Sequence, residues 1–343
     1  MATRVHYTRR ALMPIDQIKR REFITLLGGA AAWPLAARAQ QSKMSVIGYL
    51  NPGSAAAIAS NLAVFRQSLA GAGYVEGRNI AIEYRFAEGR YDRLPEMAAE
   101  LVRQQVSLIV ATGGTAPALA AKAATATLPV VFTVTDDPVA LGLVVSFARP
   151  EGNATGVNFP LAELAAKELG LLHELVPAAR RIGLLVNPNN SPSEAVTKDV
   201  TVAASAMGVE ISVVRADNNH AIETAFATLV RTRVEALLIG TDPFFFSRRV
   251  QLATLATRHA IPAAFNAREF AEVGGLMSYG TSLNEVFRQL GVYAGRILNG
   301  AKPADLPVVR SVTFELVINM STARALGLEV PATLLARADE VIE

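Results

Sequence analysis

Two parallel series of short Val/Ile/Leu runs constrain this chain more than any other feature of it. Each run closes on Gly, Asn, Asp or Thr, and a longer Ala/Leu-rich stretch at helical spacing follows. The first series is "SVIGYLNPGS" (45–54), "NIAIEY" (79–84), "VSLIVATGGT" (106–115) and "LPVVFTVTDDP" (128–138). The second, "RIGLLVNPNNSPS" (181–193), "VEISVVRAD" (209–217), "VEALLIGTDP" (234–243) and "IPAAFNAREF" (261–270), repeats that order. Strands alternating with helices predict parallel sheets covered on both faces. Gly48 matches Gly183, Gly73 matches Gly208, Ile109 matches Leu238 and Pro129 matches Pro262, at a nearly constant offset. All βα units share Gly and Val, but Asn51-Pro52 and Asn187-Pro188 also fall at the same place in each series. The predicted fold is therefore α/β, with two doubly wound parallel-sheet lobes.

The lobes exchange chain. A helix at 161–176 opens the second lobe, "GGLMSYGTS" (274–282) leads back, a helix at 284–298 completes the first, and "PVVRSVTFELVIN" (307–319) crosses once more. The expected division is 43–157 plus 280–305 for the first lobe and 158–279 plus 306–343 for the second. Three crossings between two lobes make a three-segment hinge around a cleft.

Ahead of this lies "QIKRREFITLLGGAAAWPLAARAQQ" (17–41). Its apolar run is interrupted by Gly28, Gly29 and Pro34 and falls short of the roughly 20 residues a spanning helix needs. Basic residues, an apolar centre and Ala37-Arg38-Ala39 have the order of a removable signal with a small-residue cleavage site, predicted after Ala39. Arg20-Arg21 before Glu22-Phe23-Ile24 resembles the twin-arginine export signal, so residues 1–39 are read as a cleavable signal and the protein as periplasmic. Met13 is an alternative start.

Export changes how the charge is read. Residues 1–39 hold seven of the 33 Lys and Arg residues and two of the 30 acids, which leaves 26 basic against 28 acidic. The basic balance belongs to the signal, so no nucleic-acid partner is expected. With no cysteine, there is no disulfide, thiolate metal site or lipid-modified cysteine to expect.

In an open parallel sheet, ligands bind beyond the carboxyl ends of the strands. Those ends carry Asn51 and Ser54; Thr112, Gly113, Gly114 and Thr115; Asp136 and Asp137; Asn187, Asn190 and Ser191; Asp242; and Arg268 with Glu269. Asp or Asn before Pro is also what a helix start requires, since the side chain caps free N–H groups and proline fits the first turn. Both readings stand for Asn51, Asp137, Asn187 and Asp242. Helix N-termini aimed at one cleft suit a ligand carboxylate, and acids at the same rim suit an ammonium. Phe244, Phe245 and Phe246 at consecutive helical positions cannot all face one core, so one or two can line the cleft, while Phe159 and Tyr279 sit on predicted crossings.

Catalytic signals are absent or weak. His6, His173, His220 and His259 are scattered without metal-ligand spacing. There is no phosphate loop and no dinucleotide fingerprint, and the segment around Ser278 has one residue too many for a nucleophile elbow. Neither an enzyme nor a cofactor or metal is expected.

"GYVEGRNIAIEYRFAEGRYDRLPEMAAELV", "IVATGGTAPALAAKAAT", "TDDPVALGLV", "GTDPFFFSRR", "GGLMSYGTS" and "YAGRILNGAKPADLPV", together with the export signal, resemble the ABC transporter substrate-binding protein family, which includes tryptophan- and tyrosine-binding members. The resemblance runs from Val46 to Glu343. It implies a type I periplasmic binding protein that traps a small ligand between two lobes and delivers it to an inner-membrane permease with a cytoplasmic ATPase. It also implies a pocket lined by the strand-end loops, with Asn158 and Tyr279 on the crossings. The loops at 187–193 and 240–245 depart from the acid-Ser and Asp-Asn pairs of aromatic amino-acid-binding relatives, which leaves the ligand open among amino acids, aromatics and carboxylate-bearing compounds. A monomer is expected. Two other readings share the cleft: a periplasmic ligand sensor that presents its ligand to a signalling receptor, and an exported hydrolase.

Overall fold

The computed structural model describes residues 44–159 and 161–343, the side chains of 161–163 excepted. The export reading of Arg20, Arg21, Ala37 and Ala39 lies outside the described residues.

Thirteen described strands build two sheets. The first contains β1 (Ser45–Asn51), β2 (Ile80–Phe86), β3 (Leu108–Ala111), β4 (Val130–Val134), β5 (Ala154–Asn158) and the two-residue β11 (Val309–Arg310), in the order β2-β1-β3-β4-β5-β11. The second contains β6 (Arg181–Val186), β7 (Glu210–Arg215), β8 (Ala236–Ile239), β9 (Ala263–Phe265), β10 (Met277–Thr281), β12 (Phe314–Asn319) and β13 (Glu340–Ile342), in the order β7-β6-β8-β9-β10-β12-β13. The first five strands of each series thus occupy equivalent places. Every described ladder is parallel except β10 with β12.

The central strands β1, β3, β4, β6 and β8 are almost wholly buried, as continuous Val/Ile/Leu runs require when helices cover both faces. On the first sheet lie α1 (Ala59–Gly71), α2 (Leu94–Arg103) and α3 (Thr115–Ala124). On the second lie α5 (Ser193–Ala206), α6 (Asn219–Arg231), the short α7 (Pro243–Ser247), α8 (Arg249–Arg258) and α9 (Arg268–Glu272).

Two helices are exchanged between the series. Helix α4 (Leu161–Leu175) follows β5 yet packs on α5, β8, β9 and β10, while α10 (Leu283–Leu298) follows β10 yet packs on α1, β3, β4 and β5. The chain therefore passes between the sheets three times, around 159–161, 281–283 and 311–313. Because Val309 and Arg310 pair with Val157 and Asn158, residues 309–310 stay with the first sheet, and the third passage comes later than 306. A small pair of helices, α11 (Met320–Ala325) and α12 (Ala332–Leu335), closes the second sheet's outer edge with β13.

The equivalence of the halves reaches single residues. Gly156 in β5 and Gly280 in β10 are fully enclosed against the preceding strand: a Cβ at Gly156 would fall on the carbonyl oxygen of Phe132, and one at Gly280 on that of Asn266. The obstacle is backbone in a central sheet and cannot rotate away. Gly156→Ala and Gly280→Ala are each expected to cost about 3 kcal/mol or more in urea unfolding, whereas Gly170→Ala, in open space on α4, should stabilise slightly or change nothing.

Candidate functional site

The carboxyl ends of β1, β3, β4 and β5 face those of β6, β8, β9 and β10 across one cavity, with walls drawn from both halves. It encloses about 110 Å³. Its polar wall comes mostly from strand ends, and its apolar wall from Phe159, Leu164, Phe246, Tyr279, Val286 and Phe287.

The loops that frame it are built alike. Asn51 Oδ1 accepts from the Gly53 N–H (2.7 Å) while its Nδ2 donates to Thr112 Oγ1 (2.8 Å). Asn187 Oδ1 accepts from the Asn189 N–H (3.0 Å) while its Nδ2 donates to Asp242 Oδ1 (3.1 Å). Each Asn thus closes a turn after the first strand and ties it to the end of the third, which accounts for the repeated Asn-Pro. Thr112 in turn donates to Tyr49 Oη (2.8 Å), and burial pushes that phenol well above its ordinary range.

Asp242 is the most connected polar group here. It caps α7, accepting from the Phe244 N–H (2.9 Å) and the Phe245 N–H (3.1 Å), with Pro243 in the first turn. Its Oδ2 accepts from Tyr91 Oη (2.8 Å), a residue that follows β2 in the other half. Burial raises the Asp242 pKa above the ordinary carboxylate value, and the four hydrogen bonds work against that rise. A second bond crosses between the halves where Asn61 Nδ2 on α1 donates to Glu269 Oε1 on α9 (3.2 Å).

The structure distributes the sequence-predicted residues among several roles. Asn51, Gly113, Gly114, Phe159, Asn190, Asp242 and Tyr279 reach the cavity wall. Thr112, Thr115, Asn158 and Asn187 stand behind it as buried braces: Thr115 Oγ1 donates to Asp136 Oδ2 (2.5 Å), and Asn158 Nδ2 donates to the Asp136 carbonyl (2.8 Å). Asp137 is exposed and caps the next turn through the Val139 N–H (2.8 Å). Ser54 and Ser191 do not reach the cavity wall.

Of the three phenylalanines, Phe246 lines the cavity, Phe245 is in the core, and Phe244 turns to Gly89 with the Arg248 guanidinium over its ring. Arg268 turns outward to Glu272, Glu315 and Glu340, so it does not pair with Glu269 and is not on the wall. Ser278 lies inside β10, paired with Phe265 and Val317, where no strand-to-helix turn presents it.

Sequence reasoning missed the helical part of the wall. Asn61 on α1, Glu168 on α4 and Thr281 at the end of β10 all line the cavity, and Asn61 Oδ1, Glu168 Oε1 and Thr281 Oγ1 are buried without a hydrogen-bond partner. Glu168 is 4% exposed, and burial alone raises its pKa well above the ordinary 4.5. The available signal was positional. Glu168 continues the stripe Leu164, Ala165, Leu172 and Leu175, and Asn61 interrupts Ile58, Leu62, Phe65 and Leu69, so each is a polar residue at an apolar helix position.

A cavity at the strand ends of two facing sheets, joined by three chain passages, is the architecture of a two-lobed binding protein. The comparisons agree. The model of the family described as ABC transporter substrate binding protein matches residues 47–342, and the chain belongs to that family. It is 27% identical over 265 residues to a tyrosine-binding protein of Clostridioides difficile strain R20291, covering 77% of this chain and 76% of the relative. Among solved structures, a Streptococcus pneumonia ABC domain in complex with L-Trp superposes with a TM-score of 0.78 at 26% identity, over 87% of this chain and 99% of that one. A ligand-free, open substrate-binding protein with adhesive properties from Clostridium difficile gives 0.61 at 26% identity over the same shares. The fold is that of the type I periplasmic binding proteins.

The bonds of Asp242 make a graded test. Tyr91→Phe removes one bond between the halves and is expected to cost about 1 to 2 kcal/mol in chemical denaturation. Asp242→Ala also uncaps α7 and orphans Asn187, so its expected cost is about 2 to 4 kcal/mol. Equal costs for the two would contradict the capping role.

Proposed function

We propose that the protein is the solute-binding component of an ABC import system, which captures a small organic ligand by closing its two halves over it. Export by the twin-arginine-type signal would place it in the periplasm, where an inner-membrane permease with its ATPase receives the ligand. The observation that carries this reading is the cavity walled by both sheets, whose halves are joined by the Tyr91–Asp242 and Asn61–Glu269 bonds. A ligand touching both walls favours the closed arrangement, and a permease that recognises the closed arrangement couples capture to uptake.

The two solved relatives support this reading. At equal identity and coverage, this chain superposes better on the L-Trp complex than on the ligand-free, open protein. Equal identity makes sequence divergence a poor explanation of the gap, so the arrangement of the halves is the better one. On this reading the two halves stand in the closed arrangement. The relatives' ligands point to an amino acid or a related compound with an aromatic body, and the rings of Phe159, Phe246, Tyr279 and Phe287 give such a body its wall.

Binding to the folded state alone raises the melting temperature. In a thermal-shift panel of amino acids, aromatic amines, aromatic carboxylates, sugars and dicarboxylates, one chemical class is expected to raise the melting temperature, with the ligand recovered unchanged. Conversion of the ligand would overturn capture in favour of catalysis.

A further inference from the structure

We propose that the cavity takes a ligand with an apolar body and a positively charged nitrogen, an amine or amidine, and that Glu168 is its counter-charge. The inference rests on the capture reading above and names the ligand class for the same cavity. It begins with the charge of the wall. Among the described residues lining the cavity are two carboxylates, Asp242 and Glu168, and no Lys, Arg or His. Among the residues of the wall itself, a ligand carboxylate would meet no opposite charge, and a buried charge without a partner is unfavourable.

The two acids are not equivalent. Asp242 is occupied by four donors from the protein itself. Glu168 is almost fully buried, and its Oε1 has no hydrogen-bond partner. Buried carboxylates are otherwise paired, so an unpartnered one on a cavity wall is a place for donors. Lys167, its neighbour on α4, does not serve: it is exposed, and its Nζ donates to Tyr279 Oη (2.5 Å) and lies 4.5 Å from that ring's centroid.

The remaining polar atoms favour the same ligand. Asn61 Oδ1 is a second buried acceptor without a donor, and it lies on the same cavity. The backbone N–H groups best placed for a carboxylate, those of Gly113 and Gly114, both donate to Thr133 Oγ1 (3.1 and 3.4 Å). The Thr281 hydroxyl, which can donate or accept, is the other unpartnered polar group on this wall, so two of these three unpartnered side-chain atoms only accept when Glu168 is ionised. Burial keeps Glu168 protonated more readily than an ordinary carboxylate, and an arriving cation restores its charge.

The test compares matched ligands on the full chain at pH 7 by titration calorimetry and thermal shift. Tryptamine, tyramine and benzamidine carry the cation without a carboxylate, while indole-3-acetate and 4-hydroxyphenylacetate carry the carboxylate without a cation. Amines are expected to bind and to raise the melting temperature, and the acids to do neither. Glu168→Gln, nearly isosteric, is expected to lower amine affinity at least tenfold while the free protein melts at or above the wild-type temperature. A loss of less than tenfold overturns the role of Glu168, and so does the absence of binding by all three amines. Binding by the acids alone overturns the ligand class and leaves capture itself standing.

Discussion

The Asp242 carboxylate is where the folding of one half and the contact between halves become the same problem. It sits at the end of a buried parallel strand, where an ionised group is stable only if donors replace the water it has lost. Two of those donors are the first N–H groups of α7, one is the Asn187 amide that ties β6 to β8, and the fourth is Tyr91 from the opposite half. Three of the four persist whatever the halves do. The fourth comes from the opposite half, so the proposed opening would exchange the Tyr91 hydroxyl for water at a carboxylate that the other three donors still hold. A net contribution of about 1 to 2 kcal/mol would suit the proposed capture, because a much stronger bond would favour the ligand-free closed arrangement.

The rest of the cavity follows from the same economy of duplicated parts. Each half places an Asn-Pro turn after its first strand and ties it to its third, and each sheet takes its last helix from the other half's run of chain. Exchange of α4 and α10 commits three chain passages to the boundary between the halves. It also puts α4, with Glu168, and α10, with Phe287, against the cavity. A helix that crosses from one series to the other is thereby a wall of the site as well as a cover for a sheet.

How much of this was legible follows from which forces write themselves into local sequence. The strands β1, β3, β4, β6 and β8 were plain because a strand buried on both faces must be a continuous Val/Ile/Leu run. The short β5, "ATGVN", and the two-residue β11 were not, because their pairing depends on neighbours far away in sequence. Turn chemistry exposed Asn51, Gly113, Gly114, Asn190 and Asp242, since Asn-Pro, Gly-Gly and Asp-Pro mark strand ends. It did not separate wall from brace: Thr112 and Asn187 are one bond behind the cavity, a distance that only the assembled sheet sets. Asn61 and Glu168 were missed because a helix shows which face is apolar without showing which part of that face meets a core and which a cavity.

Closure on a ligand would shrink the protein, and that change can be measured in solution. Small-angle X-ray scattering of the purified protein, first stripped of small molecules by unfolding and refolding and then titrated with a ligand found by thermal shift, reports the radius of gyration in both states. The account predicts a larger radius without ligand and a fall to the value calculated for the arrangement described here once the ligand is saturating. An unchanged radius at saturation would contradict it, and would mean that the ligand enters a cavity whose walls do not move.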